Sequence, residues 1–527
     1  MVLLIVLNRV IVSSMTDQTD QSIGIQLDLA STTPLYKQLF DAIASRIRTG
    51  TFPPGFRLPP SRELASALGA HRNTVVRAYE DLVAAGFLSS VVGRGTFVNT
   101  LSEPARPLRL VNKTSEAKMQ WPLLLSRAAM VEPLGRSDRL SSGAVPKGAI
   151  NLSGMRPDPD LLPHELLRRC FEHVSRTENG PALSYGPREG LLRLRELIAA
   201  DLAEHSVPTR ADDIVITTGS QQALDLIART LVNPGDPFLI EATTYPGAMN
   251  LLAAAGARLV SLPSDEEGPS LEALERNKSL GAKGLYLMPN CHNPTGRVIS
   301  AERRRAIVRW SQDNGVPIIE DDYACDLELD GIAPPASLRV LDGDVIHVGT
   351  FSKRLIPALR IGFIVCPAAL RPLLIPLRHA MDLGTSLLLQ HTLSEFLDRG
   401  YLRAHLKKTM PIYRERRDAL CKALRASLPA EVRINKPGRG FALWLELPPH
   451  IDAEAVYQEA ARRGVIVSPS TLHDTQTQKL GGMRVTFCSE GTSRLIEGAK
   501  RLADAFKAVN KERRQAGREV ARTLDVV

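Results

Sequence analysis

The chain has 527 residues, of which 44% are hydrophobic, 23% charged and 5% aromatic. That balance fits a soluble globular protein too long for one domain, with two or three expected. The six cysteines, Cys170, Cys291, Cys325, Cys366, Cys421 and Cys488, are scattered, with no C-x-x-C pair and no His/Cys cluster at ligand spacing. This spacing excludes a disulfide scaffold or a structural zinc site and fits a reducing cytoplasm. The net charge is +9, and its distribution is uneven. Eight basic side chains face four acidic ones in residues 31–98, eight face four in 99–148, and six face three from Lys507 onward, whereas residues 149–506 are neutral. One end is therefore expected to touch a polyanion while the middle does not.

The chain opens with an apolar stretch from Val2 to Leu7, broken by Asn8 and Arg9 before Val10, Ile11 and Val12. It is too short to span a bilayer, which takes ~20 apolar residues, and it lacks the basic region and cleavage site of a secretory signal. The simpler reading is that translation starts at Met15.

Leu35, Leu39, Ile43 and Ile47 recur every four residues across 34–49, a helical stripe ending at Gly50 and the Pro53-Pro54-Gly55 turn. A second helix is expected after Pro59-Pro60, with Ser61 as its N-cap and Gly69 as its stop. A third runs from about Arg72 to Ala85, burying Val75, Tyr79 and Leu82 until Gly86. Beyond it, Phe87-Leu88 and Val91-Val92 lead to Gly93-Arg94-Gly95, the tip of a hairpin returning through Thr96-Phe97-Val98. The pattern is a winged helix-turn-helix. Its third helix leaves Arg72, Asn73, Thr74 and Arg77 on the outer face. Arginine can grip guanine with two bonds, asparagine can grip adenine, and threonine can touch phosphate or a thymine methyl. Arg94, between two glycines, suits a minor groove or a phosphate.

Leu58-Pro59-Pro60-Ser61-Arg62-Glu63-Leu64-Ala65, Leu68-Gly69, Arg72-Asn73-Thr74-Val75, Ala78-Tyr79 and Gly93-Arg94-Gly95-Thr96-Phe97-Val98 together resemble the DNA-binding domain of the GntR family. The resemblance implies that Lys37, Arg62, His71, Arg72, Asn73, Thr74, Arg77 and Arg94 face operator DNA. His71 stands where that family usually has a serine capping the recognition helix.

From Asn99 to about Lys147, prolines at 104, 107, 122, 133 and 146 interrupt a segment with little periodicity, as expected of an interdomain linker. Beyond residue 150, short apolar runs at Asp213–Thr217, Gly284–Met288, Val316–Glu320 and Val345–Val348 alternate with helical patterns. That is an α/β rhythm with a mostly parallel sheet, whose strand-closing loops are where ligands bind. Thr218-Gly219-Ser220-Gln221 follows a strand and opens a helix, a place for a phosphate. Asn293 sits in the turn Asn290–Gly296, Asp321-Asp322-Tyr323 ends one strand, and Thr350-Phe351-Ser352-Lys353 ends the next, with Arg360 seven residues on. A lysine for a Schiff base, a carboxylate for a ring nitrogen, donors for a ring oxygen and a phosphate cup converge on pyridoxal phosphate.

In that order these motifs resemble fold-type I, class I aminotransferases, over roughly Leu152 to Val509. The resemblance implies that Lys353 forms the internal aldimine and Asp321 pairs with the ring nitrogen. It implies that Asn293 and Tyr323 bond the phenolic oxygen and that Tyr245 stacks on the ring. Ser220, Gln221, Thr350, Ser352 and Arg360 would hold the phosphate, with Tyr185 reaching it from a partner subunit. Arg484 aligns with the arginine that binds a substrate carboxylate, the alternative being a surface ion pair.

A GntR-type winged helix joined to such a domain resembles the MocR group of regulators. The expected organisation is a DNA-binding domain at 30–99, a linker at 100–148, an aminotransferase-like domain at 149–510 with a smaller C-terminal subdomain from about 405, and a basic tail at 511–527. The group's properties imply a cytoplasmic homodimer in which an amino compound displaces Lys353, forms an external aldimine and alters DNA binding. Two alternatives remain open: a working aminotransferase whose N-terminal module regulates its own gene, and a sensor of pyridoxal phosphate itself.

Overall fold

Helix α1 (Leu35–Arg48) buries Leu39, Ile43, Ala44 and Ile47 along one stripe, the repeat expected from the sequence. The structure is a computed structural model describing residues 24–28, 31, 33–91, 94–99, 125–130, 148–475 and 481–524. The apolar start before Met15, most of the linker and the Gln476–Lys479 stretch lie outside the described residues. The chain divides into two compact units, within residues 1–120 and 121–527, each described by itself.

In the first unit, β1 (Arg57–Leu58) leads to α2 (Ser61–Ala67), whose N-cap position is taken by Pro60. Ser61 is therefore the first helical residue, not the cap, because the extended Pro59-Pro60 pair ends where the helix begins. Helix α3 (Arg72–Ala84) buries Val75, Ala78, Tyr79 and Leu82. His71 does cap it, with Nδ1 accepting the Asn73 backbone N–H at 3.3 Å. Gly86 then adopts φ +77°, a left-handed conformation that favours glycine. Strands β2 (Leu88–Val91) and β3 (Gly95–Val98) form the wing, pairing Leu88 with Val98 and Val91 with Gly95. Strand β1 lies on the other side of β3. Two residues carry no period of their own; β1 pairs there because Leu58 joins Leu64, Leu82, Leu88 and Val98 in one core.

In the second unit, β4 (Ile214–Thr217), β5 (Pro237–Glu241), β6 (Arg258–Leu262), β7 (Leu285–Leu287), β8 (Ile318–Asp322), β9 (Ile346–Thr350) and β10 (Gly362–Val365) form a seven-stranded sheet. Their order is β4-β10-β9-β8-β7-β5-β6. Only β10 runs antiparallel to its neighbours β9 and β4. The central strands are buried throughout, as in a sheet covered on both faces. A four-stranded sheet follows, β11 (Arg433–Asn435), β12 (Ala442–Glu446), β14 (Gly482–Thr486) and β13 (Ser468–Pro469) in spatial order. Its Leu443, Leu445, Met483 and Val485 share a core with the large sheet. The last helix, Thr492–Leu524, runs through most of the segment expected as a basic tail. Among the described residues no helix is long and apolar enough to cross a membrane.

Leu39 is fully buried in the first unit. Leu39→Ala is expected to cost about 2–5 kcal/mol, seen as a lower thermal transition and lost DNA binding near body temperature.

Candidate cofactor site and DNA-binding face

Cross-strand register builds one end of the site. Thr217, Gly362 and Thr350 lie in a row across β4, β10 and β9, and Gly219, at φ +82°, caps the helix Ser220–Leu231. A Cβ on Gly362 would stand 2.7 Å from the Gly219 carbonyl carbon and the Ser220 nitrogen, and one on Gly219 would stand 2.7 Å from the Arg360 guanidinium. The two glycines thus let a helix N-terminus, a neighbouring strand and a cation approach within contact. Arg360 donates to the Thr218 carbonyl at 3.2 Å, while the Thr350 and Ser352 hydroxyls bond each other at 3.1 Å. Helix N–H groups, hydroxyls and a guanidinium make an anion cup. The Gln221 side chain is engaged elsewhere, while its backbone N–H lies in the first turn of the helix opening at Ser220. Its amide accepts from the Tyr245 hydroxyl at 3.0 Å and donates to the Gly247 carbonyl at 3.2 Å, so it positions the Tyr245 ring instead of offering those donors to a phosphate.

Side chains alternate along β8, so Asp321 and Asp322 face opposite ways. Asp322 is held by the Asn290 amide at 2.8 Å. Asp321 shares its face with Ile319, which pairs with Tyr286 of β7, and the Tyr286 hydroxyl donates to Asp321 Oδ2 at 2.7 Å. Oδ1 of this carboxylate is buried without a partner. Burial raises the Asp321 pKa to about 6, against the Tyr286 hydrogen bond that lowers it. A cation at Oδ1 would complete the group, and a protonated pyridine ring nitrogen is such a cation.

Lys353 follows β9 and donates to the Met155 carbonyl at 2.7 Å. Burial lowers its pKa to about 8, so a sizeable neutral, nucleophilic fraction exists near neutral pH. Arg484 on β14 donates to Asn293 Oδ1 at 2.7 Å and to the Ser153 carbonyl at 2.8 Å; its Nε is buried without a partner. Burial brings its pKa down to about 10. It is tied to Asn293 and the 153–156 segment, not to a surface carboxylate. The Tyr323 hydroxyl donates to Cys291 Sγ at 3.2 Å. Tyr185 is 80% exposed, so its own protomer does not draw it into the site. Tyr286, Ser153 and Met155 are the site residues that the motifs missed. The one available signal for Tyr286 was a polar-tipped residue inside an apolar strand two strands from Lys353.

In the first unit, Lys37, Arg62, His71, Arg72, Asn73, Arg77 and Arg94 are exposed and Thr74 is half-buried. Arg77 is not free: its guanidinium sits 3.9 Å from the Tyr36 ring centroid, a cation–π contact that fixes it between α3 and α1. Because His71 Nδ1 caps α3, Nε2 is the ring nitrogen left to meet another partner.

The fold and the clustered Lys353, Asp321, Arg360 and Ser220 define a pyridoxal-phosphate protein of fold-type I. The aminotransferase class I and II family matches residues 158–502 and the bacterial regulatory gntR family matches residues 35–98. MocR of Rhizobium meliloti, whose name ties it to regulation of rhizopine catabolism, is 31% identical over 92% of this chain and 96% of its own length. The HTH-type transcriptional regulator TauR of Rhodobacter capsulatus is 30% identical over 90% and 96%. Among solved structures, the α-aminoadipate aminotransferase LysN of Thermus thermophilus, complexed with N-(5'-phosphopyridoxyl)-L-leucine, is 30% identical with a TM-score of 0.68, covering 75% of this chain and all of that one. The chain belongs to the aminotransferase class I and II family and, with its GntR domain, to the MocR-type transcription regulators within it. Its cofactor is pyridoxal phosphate.

Asp321→Asn should separate stability from cofactor retention. The wild-type carboxyl has a folded pKa near 6 against 3.8 for an ordinary aspartate; the folded state then holds a proton that the unfolded state releases, so stability falls as pH rises from about 4 to 6 and stays reduced above that. In cofactor-free protein the variant should therefore be more stable by about 2–3 kcal/mol at pH 7, with little difference near pH 4, while losing pyridoxal phosphate faster on dialysis. Thermal unfolding across that range checks the first half and cofactor absorbance the second.

Arg72→Ala should cost about 1–3 kcal/mol of operator affinity and relax preference at one base pair, whereas Lys37→Ala should weaken all sequences alike and flatten the salt slope by about one. Equal losses of Arg72→Ala on operator and random DNA would contradict base reading.

Proposed function

We propose that this protein is a DNA-binding regulator whose large unit senses a small primary amine through its cofactor site. The observation that carries the reading is that one chain holds both a helix start exposing Arg72 and Asn73 and a site with a lysine, a half-partnered carboxylate and an anion cup. Pyridoxal phosphate, when bound, supplies an electrophilic carbon that takes up primary amines reversibly, as well as an electron-withdrawing ring. The chain's own residues supply the rest. Ser220, Thr350, Ser352 and Arg360 hold the phosphate, and Asp321 holds the proton of the ring nitrogen. Asn293 and Tyr323 face the phenolic oxygen, and Tyr245, steadied by Gln221, covers the ring. Lys353 Nζ, shielded and bound to the Met155 carbonyl, would be the chain's own amine beside the cofactor's electrophilic carbon, and Arg484 would receive the ligand's carboxylate. Arg72, Asn73 and Thr74 read bases; Lys37, Arg62, His71 and Arg94 grip the backbone.

The active form is a cytoplasmic homodimer on a repeated operator. Exposed Leu183 and Tyr185, together with Leu373, Leu377 and Met381 spaced by four along the helix Arg371–Asp382, support a partner surface, with Tyr185 entering the neighbouring site. A ligand shifts DNA binding only through unequal affinity for two conformations, and a reversible covalent bond makes that inequality large.

Lys353→Ala tests the reading. The variant should retain noncovalent cofactor and bind operator DNA, but lose the visible band of lysine-bound cofactor and any response of DNA binding to amines. An amine response unchanged in the variant would overturn sensing through Lys353. Sustained conversion of amino to oxo acid by the wild type would favour the aminotransferase alternative, and a DNA response to the cofactor alone would favour a sensor of pyridoxal phosphate.

A further inference from the structure

Two buried histidines meet the turn that carries Tyr245. This turn follows β5, and Tyr245 immediately precedes the helix Pro246–Ala254. His292 Nε2 lies 2.9 Å from the Thr243 carbonyl, and His473 Nδ1 lies 3.1 Å from the Thr244 carbonyl. A carbonyl oxygen only accepts, so each of these nitrogens donates, while the other nitrogen of each ring meets a hydroxyl, Thr295 at 2.7 Å and Ser468 at 2.9 Å. Burial lowers the pKa of both rings, which suits one donor and one acceptor apiece. His473 also bonds through its backbone. Its carbonyl accepts the Thr244 N–H at 2.9 Å, and two residues on, the Thr475 N–H and hydroxyl both reach the Ala242 carbonyl at 3.1 Å. Thr243 bridges Asp474 between them, so a short antiparallel ladder grips the root of Tyr245. At the far end the Tyr245 hydroxyl is held by Gln221, and a side chain on Gly247 would collide with the ring. A shift at the root is therefore carried to the ring.

The other side of His473 leads to Arg484. Ser468 of β13, whose hydroxyl donates to the His473 ring, pairs in register with Arg484 of β14. After burial, the Arg484 charge is the next influence that lowers the His473 pKa. A continuous path of bonds thus runs from the strand bearing Arg484 through Ser468, His473 and Thr244 to Tyr245. The histidine is 1% exposed, and a ring bonded at both nitrogens is fixed in plane as well as in place. Packing alone does not call for an imidazole here, since an apolar ring fills the same space without needing two partners. We infer that His473 is a positioning residue, which sets the Tyr245 ring over the cofactor from the strand pair that carries Arg484. This rests on the placement of Tyr245 proposed above. It holds whether the bound amine is sensed or turned over.

The test uses full-length protein carrying pyridoxal phosphate. It follows the visible circular dichroism of the bound cofactor and the rate at which cofactor leaves on dilution. His473→Phe keeps a ring and removes both of its side-chain bonds. It should weaken the dichroism and speed release about fivefold, while operator affinity, carried by the other unit, stays close to wild type. His473→Asn, whose amide N–H can take the place of the Nδ1 donor, should restore most of the wild-type behaviour. Tyr245→Leu should do at least as much damage as His473→Phe. The double variant should be no worse than Tyr245→Leu alone, because His473 acts through that ring. Release from His473→Phe at the wild-type rate, effects that add in the double variant, or His473→Asn no better than His473→Phe would overturn this inference alone. Should His473→Phe fail to fold, Ser468→Ala, which frees one nitrogen and leaves the ring, should speed release about twofold; an unchanged rate would overturn the inference equally. Tyr245→Leu matching wild type in both measurements would overturn the placement of Tyr245 on the ring, and this inference with it.

Discussion

A carboxylate sealed inside a sheet with one oxygen unpartnered is costly, and Asp321 is the constraint around which this site is arranged. Alternation along β8 turns it away from Asp322, and the register with β7 brings Tyr286 to one of its oxygens. The other oxygen is buried without a donor from the chain. Such a group either holds its proton or meets a cation. Its raised pKa shows the first tendency, and the chemistry of a pyridinium nitrogen supplies the second.

Some other buried charges of the large unit behave differently. Glu320, next to Asp321, is fully buried, and burial alone would raise its pKa. It is instead held down to about 2, because His347 directly across on β9, the Ser337 hydroxyl and the Leu338 N–H all bond to it. Arg354 bonds Asp326 and Asp201, and Arg416 bonds Asp158. These are closed arrangements, complete within the chain. Asp321, Lys353 and Arg484 are displaced the other way, each toward its neutral form by burial. Three groups of that kind in one cleft distinguish a ligand site from an internal ion pair, which burial by itself does not.

Much of this was legible in the sequence, for reasons that particular residues show. Lys353, Asp321 and Arg360 stand at strand ends or just beyond them, where a polar residue after an apolar run has few structural roles. The stripe of α1 and the apolar face of α3 repeat every three or four residues and could be read directly. What escaped was set by cross-strand geometry. Tyr286 acquires its role only from the register between β7 and β8, Met155 only from a contact spanning nearly two hundred positions, and β1 only from the core it completes. The bonds of the Gln221 side chain to Tyr245 and Gly247 escaped too, because motif order does not say which way an amide turns. Tyr185, expected to serve the site of a partner subunit, is exposed on its own protomer.

The two units use charge in opposite regimes. Lys37, Arg62, Arg72 and Arg94 are exposed, so their attraction to a polyanion is long-ranged, weak per contact and screened by salt. Asp321, Lys353 and Arg484 act inside a low-dielectric cleft, where interactions are short-ranged and nearly indifferent to salt. Raising ionic strength should consequently erode DNA affinity steeply and leave cofactor retention almost untouched. A molecule built this way can exchange its DNA partner rapidly while keeping its cofactor, because the first attraction is screened and the second is not.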